Sequence, residues 1–148
     1  MLILPNELET TIRIESENAY PNECCGILMG EIDDTGTKTV RHAEAIVNAR
    51  EDGAQHNRFL ITAEDMLHAE RTARAAKLDV IGFYHSHPDH PSAPSEYDKT
   101  HALPFYSYVI VAVEKGISKE LTSWELTPDR TNFVQEVLDS IPTPRQDY

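Results

Sequence analysis

The chain has 148 residues, 40% of them hydrophobic and 26% charged, a balance that fits one globular domain with enough chain to bury a core. Twenty-five acidic residues against 13 basic ones give a formal net charge of −12, which argues against binding to nucleic-acid phosphates or anionic membranes. No apolar run approaches the roughly 20 residues of a membrane span. Met1-Leu2-Ile3-Leu4 is too short, and too soon followed by Pro5, to be a signal peptide, so a cytoplasmic location is expected. The acidic residues are scattered, as on a solvated surface; adaptation to a salty interior is a second reading.

In chain order, Pro5 to about Tyr20 reads as a helix with Leu8, Ile12, Glu15 and Ala19 on one stripe, ended by Pro21. Cys24–Ile32 reads as a buried strand, Asp33-Asp34-Thr35-Gly36 as a turn, and Lys38–Val47 as a second strand. Asn48–Asn57 is polar and reads as a surface loop, followed by a short strand at Arg58–Ile61. Thr62 is an N-cap with Asp65 three residues on, opening a helix to Leu78 with Met66, Ala69, Ala73 and Ala76 inward. Asp79–Tyr84 is apolar on both faces, as in a central strand. After a proline-rich loop at Pro88–Pro94, a short helix is expected at Ser95–Leu103. Strands follow at Tyr106–Val113 and Glu120–Leu126, joined by a Lys115-Gly116 turn. Phe133, Val134, Val137 and Leu138 suit either a strand or a helix. This order predicts a single α/β domain over residues 1–148, a mixed sheet flanked by helices, with a tail from about residue 140 lacking fixed structure.

Cys24 and Cys25 are adjacent, so they cannot easily form a disulfide with each other, and their apolar surroundings suggest buried thiols. A cysteine nucleophile paired with a histidine is the alternative. The chemistry-bearing segment is Phe83-Tyr84-His85-Ser86-His87-Pro88. On a strand, His85 and His87 share a face roughly 6.5–7 Å apart, close enough for both imidazoles to reach one ion at about 2.0–2.1 Å. Asp98 follows 11 residues after His87, one turn into the predicted helix, and could supply a third ligand. Three protein ligands leave a position open for water, the arrangement of a catalytic zinc; two histidines and a carboxylate also suit non-haem iron. Ser95-Glu96-Tyr97-Asp98 reads equally well as a helix cap. His42, His56, His68, His90 and His101 lack ligand-like partners nearby and read as structural or exposed, His90 standing apart because it lies in the site loop. Spacing alone selects no general base.

His85-Ser86-His87-Pro88, six residues, then Ser95-Glu96-Tyr97-Asp98 resembles the metal motif of the JAMM (MPN-plus) metallopeptidases. Pro21-Asn22-Glu23-Cys24-Cys25-Gly26-Ile27-Leu28-Met29-Gly30 looks like the strand carrying their catalytic glutamate. The resemblance implies an MPN-type, cytidine-deaminase-like fold, although the chain lacks the signature of a deaminase. It implies one Zn²⁺ per chain on His85, His87 and Asp98, with zinc-bound water as nucleophile. Glu23 would be the proton carrier, Ser95 the donor to the developing oxyanion, and the cysteines packing residues. Such enzymes cut peptide or isopeptide bonds after the C-terminal Gly-Gly of ubiquitin-like proteins. A chain this short resembles the stand-alone prokaryotic members that act on sulfur-carrier proteins. The expected partner is therefore a ubiquitin-like or sulfur-carrier protein with a diglycine tail, which an extended groove could take up as an added strand. The Asn48–Asn57 loop is the expected flap. The alternatives are a non-catalytic MPN scaffold module, or a peptidase for ubiquitin-type chains or small peptides.

Overall fold

The computed structural model describes residues 1–46 and 61–142. Its elements are β1 (Leu2–Pro5), α1 (Asn6–Ala19), β2 (Cys25–Ile32), β3 (Lys38–Ile46), α2 (Ala63–Ala75), β4 (Asp79–Pro88), α3 (Glu96–His101), β5 (Ser107–Glu114), β6 (Ile117–Leu126), β7 (Phe133–Glu136) and β8 (Leu138–Ile141). The strands form one mixed sheet in the order β7-β6-β5-β4-β2-β3-β1-β8. Strand β4 lies inside it, antiparallel to β2 and parallel to β5.

The two outermost strands, β7 and β8, are separated in the chain by Val137 alone. One continuous C-terminal segment therefore pairs with β6 on one side and β1 on the other, and Leu2 N–H donates to the Val137 carbonyl at 2.9 Å. The sheet thus curls round on itself, and α1 lies within the curve, touching β1, β3, β4, β5, β6 and β8. Helix α1 buries Ile12 and Ser16 completely, with Leu8 and Ala19 packed at the margin. Around them lie Leu2, Leu4, Leu28, Val40, Tyr84, Val109 and Val111, all essentially inaccessible to water. On the opposite face α2 packs Ala69 and Ala73 against Ile27, Met29 and Phe83, a second apolar layer. Burying a core side chain of Leu or Ile size contributes about 1.5–3 kcal/mol, so the two layers clamp β2 and β4 from both sides.

Close backbone approach makes one glycine necessary. Gly26 pairs with Tyr84 across β2 and β4, and a Cβ at Gly26 would fall 2.1 Å from the Tyr84 ring. The ring occupies that space and its hydroxyl donates to Glu15 of α1 at 2.6 Å. Burial pushes the Glu15 carboxyl above its ordinary value, an effect that the Tyr84 bond partly offsets.

Several expectations are corrected. Within Met1–Leu4, read only as too short for a signal peptide, Leu2 to Leu4 enter strand β1, where Leu2 and Leu4 are buried. Strand β4 does not stop at Tyr84 but runs to Pro88, because β2 and β5 offer partners on both sides. The Phe133–Leu138 segment is two strands, not a helix, since β6 and β1 present open edges to it. Ile61 lies outside any strand, and residues 58–60 of the expected strand, with the Asn48–Asn57 loop, lie outside the described residues. Strand β8 extends to Ile141, and residues 143–148 of the expected tail are also outside them. Among the described residues no helix is long and apolar enough to cross a membrane.

Candidate metal centre

The site begins with β4. His85 pairs with Cys25 of β2 and Ile110 of β5, and His87 pairs with Ala112 of β5, so backbone hydrogen bonds hold this part of the strand. Strand alternation sends both imidazoles, with Phe83, to the α2 face, while Tyr84 and Ser86 face α1. The Nε2 atoms of His85 and His87 converge to 3.1 Å. The Nδ1 of His87 lies 2.8 Å from the Pro91 carbonyl, which can only accept, so that nitrogen carries the hydrogen and, in the neutral ring, Nε2 presents its lone pair to the site.

Ser95 caps α3, and its hydroxyl accepts from the Asp98 N–H at 3.1 Å. Asp98 returns the bond, its Oδ2 accepting from the Ser95 N–H at 2.8 Å. The same carboxylate lies 3.3 Å from His85 Nε2 through Oδ1 and 3.1 Å from His87 Nε2 through Oδ2. Capping and convergence on the histidines are therefore one arrangement: the cap fixes Asp98 so that it faces them.

Glu23, buried on the segment entering β2, brings a second carboxylate within 4.8 Å of the ligand atoms of His85 and His87. Sequence reasoning missed the residue that holds the backbone next to it. Ser86, between the two histidines, is completely buried; its Oγ accepts from the Cys24 N–H at 2.9 Å and its N–H donates to the Cys24 carbonyl at 3.1 Å. Strand alternation was the available signal: the residue between two inward histidines must face the other way, toward α1 and Cys24.

Electrostatics follow from burial and charge. Burial pushes the His85 pKa down, with Asp98 opposing. Burial also works against charge on His87, but the hydrogen bond and charge of Asp98 prevail and raise it. Burial alone would raise the Asp98 pKa; the two histidines and the Ser95 N–H reverse this and hold it well below the usual carboxylate range. Burial pushes both Cys24 and Cys25 thiols up, away from the reactive thiolate, so the cysteine-nucleophile alternative loses its chemistry.

Three electron-pair donors, two imidazole nitrogens and a carboxylate, are thus 3.1–3.3 Å from one another inside the protein. A tetrahedral ion with bonds of about 2.0–2.1 Å sets its ligands about 3.3–3.4 Å apart. The donor set and its spacing fit such an ion. Of the remaining histidines, His68 pairs with Glu44 at 3.1 Å and His101 donates to the Tyr97 carbonyl at 2.9 Å. His90 lies with Glu23, His87 and Ser95 around a depression beside the site, and His56 is outside the described residues.

Residues 5–127 match the family described as prokaryotic homologs of the JAB domain. The chain belongs to that family. This prokaryotic JAB domain is 32% identical over 110 residues to a desampylase of Haloferax volcanii, covering 74% of this chain and 73% of the relative. A solution structure of a protein from Salinibacter ruber matches all of this chain and 95% of its own, at 38% identity and a TM-score of 0.73. A JAB1/MPN domain protein from Archaeoglobus fulgidus, 21% identical, matches 95% of this chain and 99% of its own with a TM-score of 0.57, a likeness of fold. The expected prokaryotic JAMM/MPN-type domain, an α/β fold with a mixed sheet flanked by helices, is what the chain adopts.

Proposed function

We propose that this JAB domain is a zinc-dependent hydrolase that cleaves the peptide or isopeptide bond after the C-terminal Gly-Gly of a ubiquitin-like or sulfur-carrier protein. The observation that carries the reading is the buried cluster of His85, His87 and Asp98, 3.1–3.3 Å from one another, with the Glu23 carboxylate within 4.8 Å of the histidines. The likeness to a desampylase supports a hydrolase acting on a ubiquitin-like protein.

His85, His87 and Asp98 would hold the zinc. When bound, zinc makes water acidic enough to supply hydroxide near neutral pH and polarises the scissile carbonyl. Asp98 is preferred to Glu23 as the third ligand because it is tied into the α3 cap and already contacts both histidines. Glu23 takes the proton of the attacking water at its carboxylate and passes it to the leaving nitrogen, which turns a poor amide anion into a free amine. The Ser86 bond to Cys24 orients Glu23 for this transfer. Ser95 uses an Oγ lone pair for the Asp98 N–H, so its O–H hydrogen remains available to the carbonyl oxygen as charge develops there.

The direct test is incubation of the zinc-loaded protein with a diglycine sulfur carrier extended by one cysteine, followed by intact mass. Loss of the cysteine residue is expected, and an unchanged carrier at high enzyme concentration would contradict the substrate assignment.

A further inference from the structure

Beside the metal cluster lies a cavity of about 140 Å³ that shares no lining residue with the depression around Glu23, His90 and Ser95. Its walls are Ile61, Met66, Phe83, Leu103 and Tyr108, and it reaches His85 and Asp98 at the site. Two of the polar groups around it are already engaged. The Tyr108 hydroxyl accepts from the Leu103 N–H at 2.8 Å, and His101 donates to the Tyr97 carbonyl at 2.9 Å. The aromatic walls are held in place, Phe83 stacking on Tyr108 at 5.5 Å and meeting Tyr106 edge-on at 5.2 Å. A small apolar cavity of about 150 Å³ stays dry and takes up a benzene-sized group. This one is of similar size but partly open to solvent, and its largely apolar wall favours an apolar side chain over a charge.

Its place relative to Glu23 decides which part of a substrate reaches it. Glu23 hands its proton to the leaving nitrogen, so the leaving group lies on the Glu23 side and the acyl segment on the side of the cavity. An extended segment turns its first and third residues to the same face, about 6.5–7 Å apart. Two glycines offer no side chain, so the residue immediately ahead of them is the first that can fill the cavity. We propose that this cavity is a specificity pocket for an apolar side chain, of Val to Leu size, on the residue immediately preceding the Gly-Gly of the substrate tail. The inference rests on the diglycine reading above.

The test is a series of carrier proteins of identical body and Gly-Gly-Cys end, with Ala, Val, Leu, Trp, Asp or Lys before the glycines, compared by kcat/KM. Leu is expected to exceed Ala by about tenfold or more and Asp by a larger factor. Met66→Trp, which fills the cavity, should erase the Leu advantage. Met66→Ala, which enlarges it, should move the preference toward Trp. Circular dichroism identifies a variant that fails to fold, and benzene binding followed by methyl NMR of the folded wild type reports on the cavity without turnover. Equal kcat/KM across the series, or no benzene-induced shifts at Ile61, Met66 and Leu103, would overturn the pocket while leaving the diglycine hydrolase intact. Cleavage of none of the carriers by the zinc-loaded wild type would overturn the diglycine reading, and this assignment with it.

Discussion

Ser86 Oγ accepts the Cys24 N–H at 2.9 Å, so the residue between the two candidate metal ligands holds the backbone next to the candidate base. The histidines lie on β4 and Glu23 on the segment entering β2, and this bond, between residues 62 apart in the chain, couples the two. Replacing Ser86 by Ala leaves a buried N–H without its partner, at a cost of about 1–3 kcal/mol. Ser86→Ala should lower Tm and reduce kcat more than KM, with zinc content unchanged. Full kcat in a folded variant would remove Ser86 from the positioning of Glu23.

The Gly26–Tyr84 approach predicts an overpacking defect. A Cβ at Gly26 meets the ring at 2.1 Å, so Gly26→Ala should cost about 1–3 kcal/mol by denaturant unfolding. In a Tyr84→Ala background the same change should cost much less, because the ring it strikes is gone. Equal costs in both backgrounds would show that the ring is not the obstacle.

A pH dependence follows from Glu15. Burial raises its folded pKa above the ordinary 4.5, with the Tyr84 bond opposing but not cancelling the shift. The folded protein thus binds this proton more tightly than the unfolded chain. The associated stability is fully present below about pH 4.5 and is lost as pH rises through the folded value. Glu15→Gln abolishes the titration, so the Tm of the variant minus that of the wild type should become more positive between pH 4 and pH 7. A difference that is flat with pH, or moves the other way, would contradict the assignment.

The parts legible in the sequence were those set by local rules. The Thr62 and Ser95 caps follow from hydroxyl and carboxylate spacing, and both capping boxes form. Period-two alternation put His85 and His87 on one face, where their nitrogens meet. What stayed illegible depends on distant partners. Strand β1 is four residues long, too short to declare itself, and exists because β3 and β8 pair with it on either side. The spacing of Phe133, Val134, Val137 and Leu138 admits a helix; it becomes two strands because closing the curled sheet requires one segment to satisfy both β6 and β1. The choice between cap and ligand for Asp98 could not be made from spacing because the two roles use the same geometry, with Oδ2 serving Ser95 and His87 together.

Two carboxylates flank one histidine pair, and the central claim assigns them different work: Asp98 binds zinc and Glu23 moves protons. The most direct measurement is zinc content by mass spectrometry on purified Glu23→Gln and Asp98→Ala, each assayed for cleavage of the diglycine carrier. Glu23→Gln should retain zinc at the wild-type level with turnover abolished, whereas Asp98→Ala should lose zinc affinity and activity together. Loss of zinc in Glu23→Gln with zinc retained in Asp98→Ala would contradict the account and make Glu23 the ligand.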